Sequence, residues 1–200
     1  MANFDLYFPK IKKHEGGYVN IAADRGGETY FGITRVNFPT WSGWAVIDSI
    51  KKNAVIKRNT LFPTLEPQVK AFYKANFWDK VKADLINSQS IAELYVDFFI
   101  NSGGNAIKKM NESLKALNVS AINLANPTQL HKALLDRRIK FFNDIVKASP
   151  KQAVFLKGWL ARAEAFAKDA PVAVAGTGIG IALIAGIGFF LLNQKYKWLK

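Results

Sequence analysis

The chain has 200 residues, half of them hydrophobic, which suffices for one cored domain with or without an appendage. It has no cysteine, so it holds neither a disulfide framework nor thiolate chemistry. The formal net charge of +13 points to an anionic partner or a solvated basic surface. Its lysines are scattered and no nucleic-acid motif occurs, which places an anionic cell envelope ahead of nucleic acid.

Phe4, Phe8 and Ile11 recur at helical spacing and predict an amphipathic helix over about 3–15. Pro9 either breaks that helix or marks its first turn. Gly16 and Gly17 supply a stop, with Lys12, Lys13 and His14 in the last turn, where cations suit the helix dipole. Glu15 is expected as the last helical residue, on a rigid support beside a cleft. From His14 to Arg35 the chain reads HEGGYVNIAADRGGETYFGITR. Glu15 and Asp24 are nine positions apart, and Thr29 follows five later. Such a stretch is either a glycine-rich surface loop with solvated acids or a site. Tyr18, Tyr30 and Phe31 can wall a cleft with aromatic surface. An apolar wall raises a carboxyl's pKa by desolvation, which suits a general acid, while Asp24, in a polar loop, is expected to stay ionised. Two carboxyls in unlike surroundings are the usual equipment for cleaving a glycosidic bond.

The stretch resembles the signature of glycoside hydrolase family 108, the N-acetylmuramidases of phage lysis and bacterial secretion loci. The residues that carry the resemblance are Glu15-Gly16-Gly17-Tyr18, Asn20, Asp24, Gly26-Gly27, Thr29 and Gly32-Ile33-Thr34. It departs from the family at Ile21, Ala22 and Arg25, where an acid or prolines are more usual, and losing prolines should loosen the loop. More distantly it is similar to phage-type lysozymes, with a Glu, an Asp and a Thr at similar spacing. The resemblance implies Glu15, Asp24 and Thr29 as catalytic residues. Tyr18, Asn20, Tyr30, Tyr73 and Asn101 are the candidates for binding substrate. No metal or cofactor is needed by such a mechanism.

Downstream, Trp41 and Trp44 flank Ser42-Gly43 ahead of a short helix in AVIDSIKK. The two tryptophans either stack on sugars or belong to the core, and core is favoured. Thr64 is expected to cap a helix running to about Phe77, with Pro67 in its first turn and Val69, Phe72, Tyr73 and Phe77 inward. Ser90 is expected to cap the next helix, IAELYVDFFIN, ended by Asn101-Ser102-Gly103-Gly104. Glu93 and Asp97 share a face there, but no histidine joins them to make a metal site. His14 and His131 are the only histidines, too few for a His-Glu-x-x-His zinc protease. Residues 105–118 read as a basic amphipathic helix with Ile107, Met110, Leu114 and Leu117 inward. Asn126-Pro127 starts a long helix to about Ala148, and Ser149-Pro150-Lys151-Gln152 is read as a capping box for the last. That last helix carries Phe155, Leu156, Trp159, Leu160 and Phe166. The resemblance covers about residues 4–168 and implies a peptidoglycan-binding-like second half.

No secretory signal opens the chain, and no strong strand pattern occurs. The far end differs. Val172–Leu192 is 21 residues without a charge. At ~1.5 Å per residue it would cross a bilayer core of ~30 Å. Gly176 and Gly180 begin a small-xxx-small face that favours a dimer of such helices. The expected fold is mainly α: a lysozyme-like helical domain with at most a small β-hairpin inside 18–35, plus one C-terminal transmembrane helix. The expected division is 1–90 catalytic, 91–170 peptidoglycan-binding-like and packed on it, and 171–200 a membrane span with a basic tail. The expected activity is hydrolysis of the β-1,4 bond from N-acetylmuramic acid to N-acetylglucosamine. Its partners would be peptidoglycan glycan strands and the bacterial inner membrane, crossed once. A lytic transglycosylase on the same bond, and a holin-like or wall-binding membrane protein, are the alternatives.

Overall fold

The computed structural model describes residues 1–21 and 27–171. Asp24 and the apolar stretch 172–192 therefore lie outside the described residues. The chain forms two compact units, divided at Lys80/Val81, with Met1 and Ala2 joining the second. Among the described residues there are seven α-helices and one two-stranded sheet. None of these helices is long and apolar enough to cross a membrane.

The first unit opens on α1, Phe4–His14. Asn3 caps it, its side chain accepting from Asp5 N. Phe4, Tyr7, Phe8 and Ile11 make the buried face. Pro9 lies inside the helix on its exposed side, costing only the bond to the Asp5 carbonyl, and the helix runs through it. Glu15 is not the last helical residue but the C-cap, with extended backbone at φ −110° and ψ 134°. The chain thus turns off the helix axis at the carboxylate itself. Next comes the hairpin β1 (Thr29–Tyr30) and β2 (Ile33–Thr34), pairing Thr29 with Thr34 and Tyr30 with Ile33. It lies inside the expected window. Val19 adds a bridge to Thr29.

Helix α2 (Gly43–Lys51) follows, with Trp41 and Trp44 buried as the core reading anticipates. Helix α3 (Glu66–Tyr73) continues through a π-helical turn, Lys74–Trp78, that turns Phe77 and Trp78 inward. Thr64 does not cap α3. Pro63 starts a 3-10 turn through Leu65, so Thr64 is already inside a turn. Trp78 packs on Phe4 and stacks on Tyr7 at 5.9 Å, closing an aromatic core between the two ends of the unit.

The second unit is all helical. Helix α4 (Gln89–Ser102) is capped by Ser88, which accepts from Ile91 N, rather than by Ser90. Ser90 already sits in the first turn, where its hydroxyl meets that of Ser88 at 3.1 Å. Gly103 ends α4 at φ 52°, as the glycine pair predicts. Helix α5 (Gly104–Ala116) buries Ala106, Met110, Ser113 and Leu114. Ile107, expected inward, is exposed because Ala106 takes the inward position one residue earlier. Helix α6 (Pro127–Ala148) begins at the Asn126 cap as expected. Helix α7 (Ala153–Ala165) does not use the Ser149 box, because Pro150–Gln152 forms a 3-10 turn first. Asp97 of α4 is fully buried and receives Arg138 of α6 at 2.5 Å and Arg162 of α7 at 2.8 Å. One carboxylate thus ties three helices, and removing it would strand two guanidiniums away from water.

Candidate active site

Everything at this site is arranged around the turn of the hairpin. Phe31 and Gly32 form its two-residue loop, and both have positive φ, 45° and 71°. A two-residue hairpin whose central residues both have positive φ matches the right-handed twist of its strands. Glycine accepts that backbone freely, whereas phenylalanine is strained in it. Two bonds hold Phe31 there. Its N–H donates to Gly16 O at 3.0 Å, and its carbonyl accepts the Tyr73 hydroxyl at 2.7 Å. The turn is therefore clamped between the end of α1 and the end of α3.

Gly32 is needed for a second reason. A Cβ there would lie 2.5 Å from Glu15 Oε2 and 2.8 Å from the Tyr73 hydroxyl. The carboxyl and the phenol thus crowd one face of a backbone that can have no side chain. Glu15 is 6% exposed and Tyr73 is fully buried. Helix α1 delivers Glu15 at its C-cap, and Gly17 lets the strand behind it pass close to the 57–60 loop. A Cβ at Gly17 would come within 2.6 Å of Thr60 O. Tyr18 N donates to that same carbonyl at 2.9 Å, and Asn59 N returns a bond to Tyr18 O at 2.7 Å.

Behind the turn lies a charged group that the sequence reading did not single out. Glu28 is buried and accepts the Tyr18 hydroxyl at 2.7 Å. It is ion-paired with Arg35 Nε at 2.6 Å and Lys51 Nζ at 2.9 Å. Arg35 reaches on to Asp48 through both terminal nitrogens, at 3.0 and 2.6 Å, and lies over the Trp44 ring at 4.5 Å. Burial pushes the Glu28 carboxyl up, but the Tyr18 and Lys51 hydrogen bonds and the Arg35 and Lys51 charges outweigh it and hold it below the usual carboxylate value. Burial first, and the Glu28 bond second, push the Tyr18 phenol up to about 12, so it stays a donor.

The predicted site residues divide as follows. Glu15 and Tyr73 are brought together at Gly32. Thr29 is buried in β1 on the same hairpin, its hydroxyl donating to Gly27 O at 3.2 Å. Tyr30 is buried too. Its hydroxyl donates to Phe62 O at 3.2 Å and accepts from Phe62 N at 2.9 Å, and its ring stacks on Trp41 at 6.0 Å. Tyr18 is directed to Glu28, while Asn20 is exposed and hydrogen-bonds the Tyr18 phenol. Asn101 belongs to the second unit, where its Oδ1 accepts from Arg138 at 2.7 Å. Asp24 is outside the described residues. Among those described, no cluster of histidine and carboxylate side chains is set to hold a metal.

A buried carboxyl on a helix cap is chemically able to serve as a general acid. Comparison with known proteins gives the class. Residues 8–103 match the family described as Glycosyl hydrolase 108, and residues 111–164 match the Predicted Peptidoglycan domain. The chain is therefore a glycoside hydrolase acting on peptidoglycan, with its likeness to glycosyl hydrolase 108 carried by residues 8–103. Among solved structures it is similar to SagA of Brucella abortus, at 25% identity and a TM-score of 0.56, over 84% of this chain and 92% of that one. No curated protein matches it.

Two outcomes check this geometry. Gly32→Ala should cut hydrolysis of peptidoglycan far more than it lowers the unfolding midpoint, because the added methyl must displace Glu15. Equal loss in both would contradict it. Glu28 makes the native state sensitive to acid. Its carboxyl is held below the usual carboxylate value in the fold, so its stabilisation is full above that ordinary value and is lost as pH falls from there through the lowered one. Urea midpoints measured from neutral to acid pH should fall less steeply for Glu28→Gln than for wild type, from a lower starting value.

Proposed function

We propose that the enzyme is an N-acetylmuramidase, cleaving the β-1,4 bond from N-acetylmuramic acid to N-acetylglucosamine. Glu15 protonates the leaving oxygen as general acid. Asp24 and Thr29 orient or activate the attacking water. The observation that carries this reading is the Glu15 carboxyl at the C-cap of α1, held against Gly32 beside the Tyr73 hydroxyl. A cap position anchors the carboxyl's backbone on a helix, and burial of the surrounding side chains limits its swing. Tyr73 positions the turn through Phe31 O and borders the same space. Glu15→Gln keeps the shape and removes the proton. It should reduce the clearing rate of a peptidoglycan suspension by at least about 10²-fold, the usual worth of a general acid, with an unchanged unfolding midpoint. Activity within a few-fold of wild type would remove Glu15 from this role.

The uncharged stretch 172–192 supplies the cellular setting in this proposal: a single membrane anchor that keeps the hydrolase near the wall, with a role in lysis or wall remodelling. A charge at the middle of a span costs about 2.5–3.5 kcal/mol on insertion scales. Ile184→Arg should therefore move the full chain from the membrane fraction to the soluble fraction of lysed cells. Equal distribution of wild type and variant would reject the anchor.

A further inference from the structure

A groove of the first unit is lined without Glu15. Its lining comes from the segment before α2 and from α3 with its π-helical turn. Phe38, Trp41 and Phe72 give it an aromatic floor, with Phe38 edge-on to Phe72 at 4.6 Å. The hydroxyls of Thr40 and Ser42 and the amides of Gln68 and Asn76 supply its polar groups. None of Glu15, Thr29, Gly32 and Tyr73 lines it.

We infer that this groove is a second saccharide site, which holds an uncharged N-acetylhexosamine unit of a glycan strand away from the bond being cleaved.

Three observations carry the assignment. The first is charge. The chain has a net charge of +13 and 22% charged residues, yet no charged side chain lines the groove. An anionic polymer would find nothing there to pair with, whereas a neutral polyol needs only rings and dipoles. The second is unmet hydrogen-bonding capacity. Gln68 Oε1 is buried in the free protein with no partner. A buried acceptor without a donor is unfavourable, and a ligand that lets the amide turn outward relieves it. Trp41 Nε1 donates to Gln68 O at 3.5 Å, a long bond for an indole, so that N–H too has capacity left for a ligand. The third is the match of functional groups. Asn76 Nδ2 donates to Phe72 O at 2.9 Å, which leaves its own carbonyl oxygen to accept. Paired donor and acceptor amides suit the N–H and C=O of an acetamido group. Aromatic rings suit the apolar C–H face of a pyranose. The choice of sugar rests on the peptidoglycan reading, but the site itself does not depend on Glu15.

A second contact on the same strand would hold the enzyme on insoluble glycan between cleavages. The geometry puts Trp41 at the centre as the reporter. The test uses the full chain carrying Glu15→Gln, so that no bond is cut, labelled with nitrogen-15. It is titrated with the tetramer of N-acetylglucosamine while the indole N–H resonances are followed. The Trp41 resonance is identified by its disappearance in Trp41→Phe. It should move saturably with the tetramer, and not with a galacturonic acid tetramer, which carries carboxylates. In the Gln68→Ala, Asn76→Ala double variant the apparent affinity reported at Trp41 should weaken at least about tenfold. The indole signals of Trp44, Trp78 and Trp159 report that this variant is folded. A stationary Trp41 signal at millimolar tetramer, an equal response to the galacturonic acid tetramer, or an equal response in the double variant would each overturn the site. The readout needs no turnover, so its failure leaves the role of Glu15 untouched, and failure of that role leaves this readout intact.

Discussion

The constraint on which the site depends is the missing side chain at Gly32. Helix α1 brings a carboxyl to the hairpin turn, and α3 brings a phenol to the same place. Both fit only because the backbone there presents a hydrogen where every other residue has a carbon. The same turn requires positive φ at two consecutive residues, and only one of them is glycine. Phe31 accepts the strained conformation because Gly16 O and the Tyr73 hydroxyl grip its backbone from both sides. Strain held in this way fixes the turn against the helix end, and the carboxyl with it.

The charged group behind the turn serves the same end. Glu28 collects Tyr18, Arg35 and Lys51, which come from three separate stretches of chain. It stands between Gly27 and Thr29, so it holds the chain that enters β1. Its cost of burial is offset by three donors, two of them charged. In the second unit Asp97 does the corresponding work for helices α4, α6 and α7. Each unit thus has one buried carboxylate that joins distant segments.

The helices were largely legible in the sequence because each declares itself locally. Asn3, Asn126 and Gly103 terminate helices where their chemistry suggests. Two of the boundaries that went astray share one cause. At Thr64 and at Ser149 a proline starts a 3-10 turn before the α-helix, which shifts the first helical residue past the apparent cap. Glu15 and Gly32 both stood out in the motif, but their contact did not, and neither did the part Tyr73 plays in pinning Phe31, since nothing local links residues 42 positions apart. Glu28 and Arg35 gave no signal for the same reason: an acid and a base on a loop look solvated until tertiary structure buries one of them. Tyr30 shows the converse. It read as a cleft wall, and its hydroxyl is instead spent on the Phe62 backbone.

The central claim is that Glu15 transfers a proton to a glycosidic oxygen and that water completes the cleavage. The most direct measurement is to digest purified peptidoglycan with wild type and with Glu15→Gln and to identify the new ends by mass spectrometry. The account predicts reducing N-acetylmuramic acid ends from wild type and none from the variant. Anhydro ends from wild type, or reducing ends from both proteins, would contradict it.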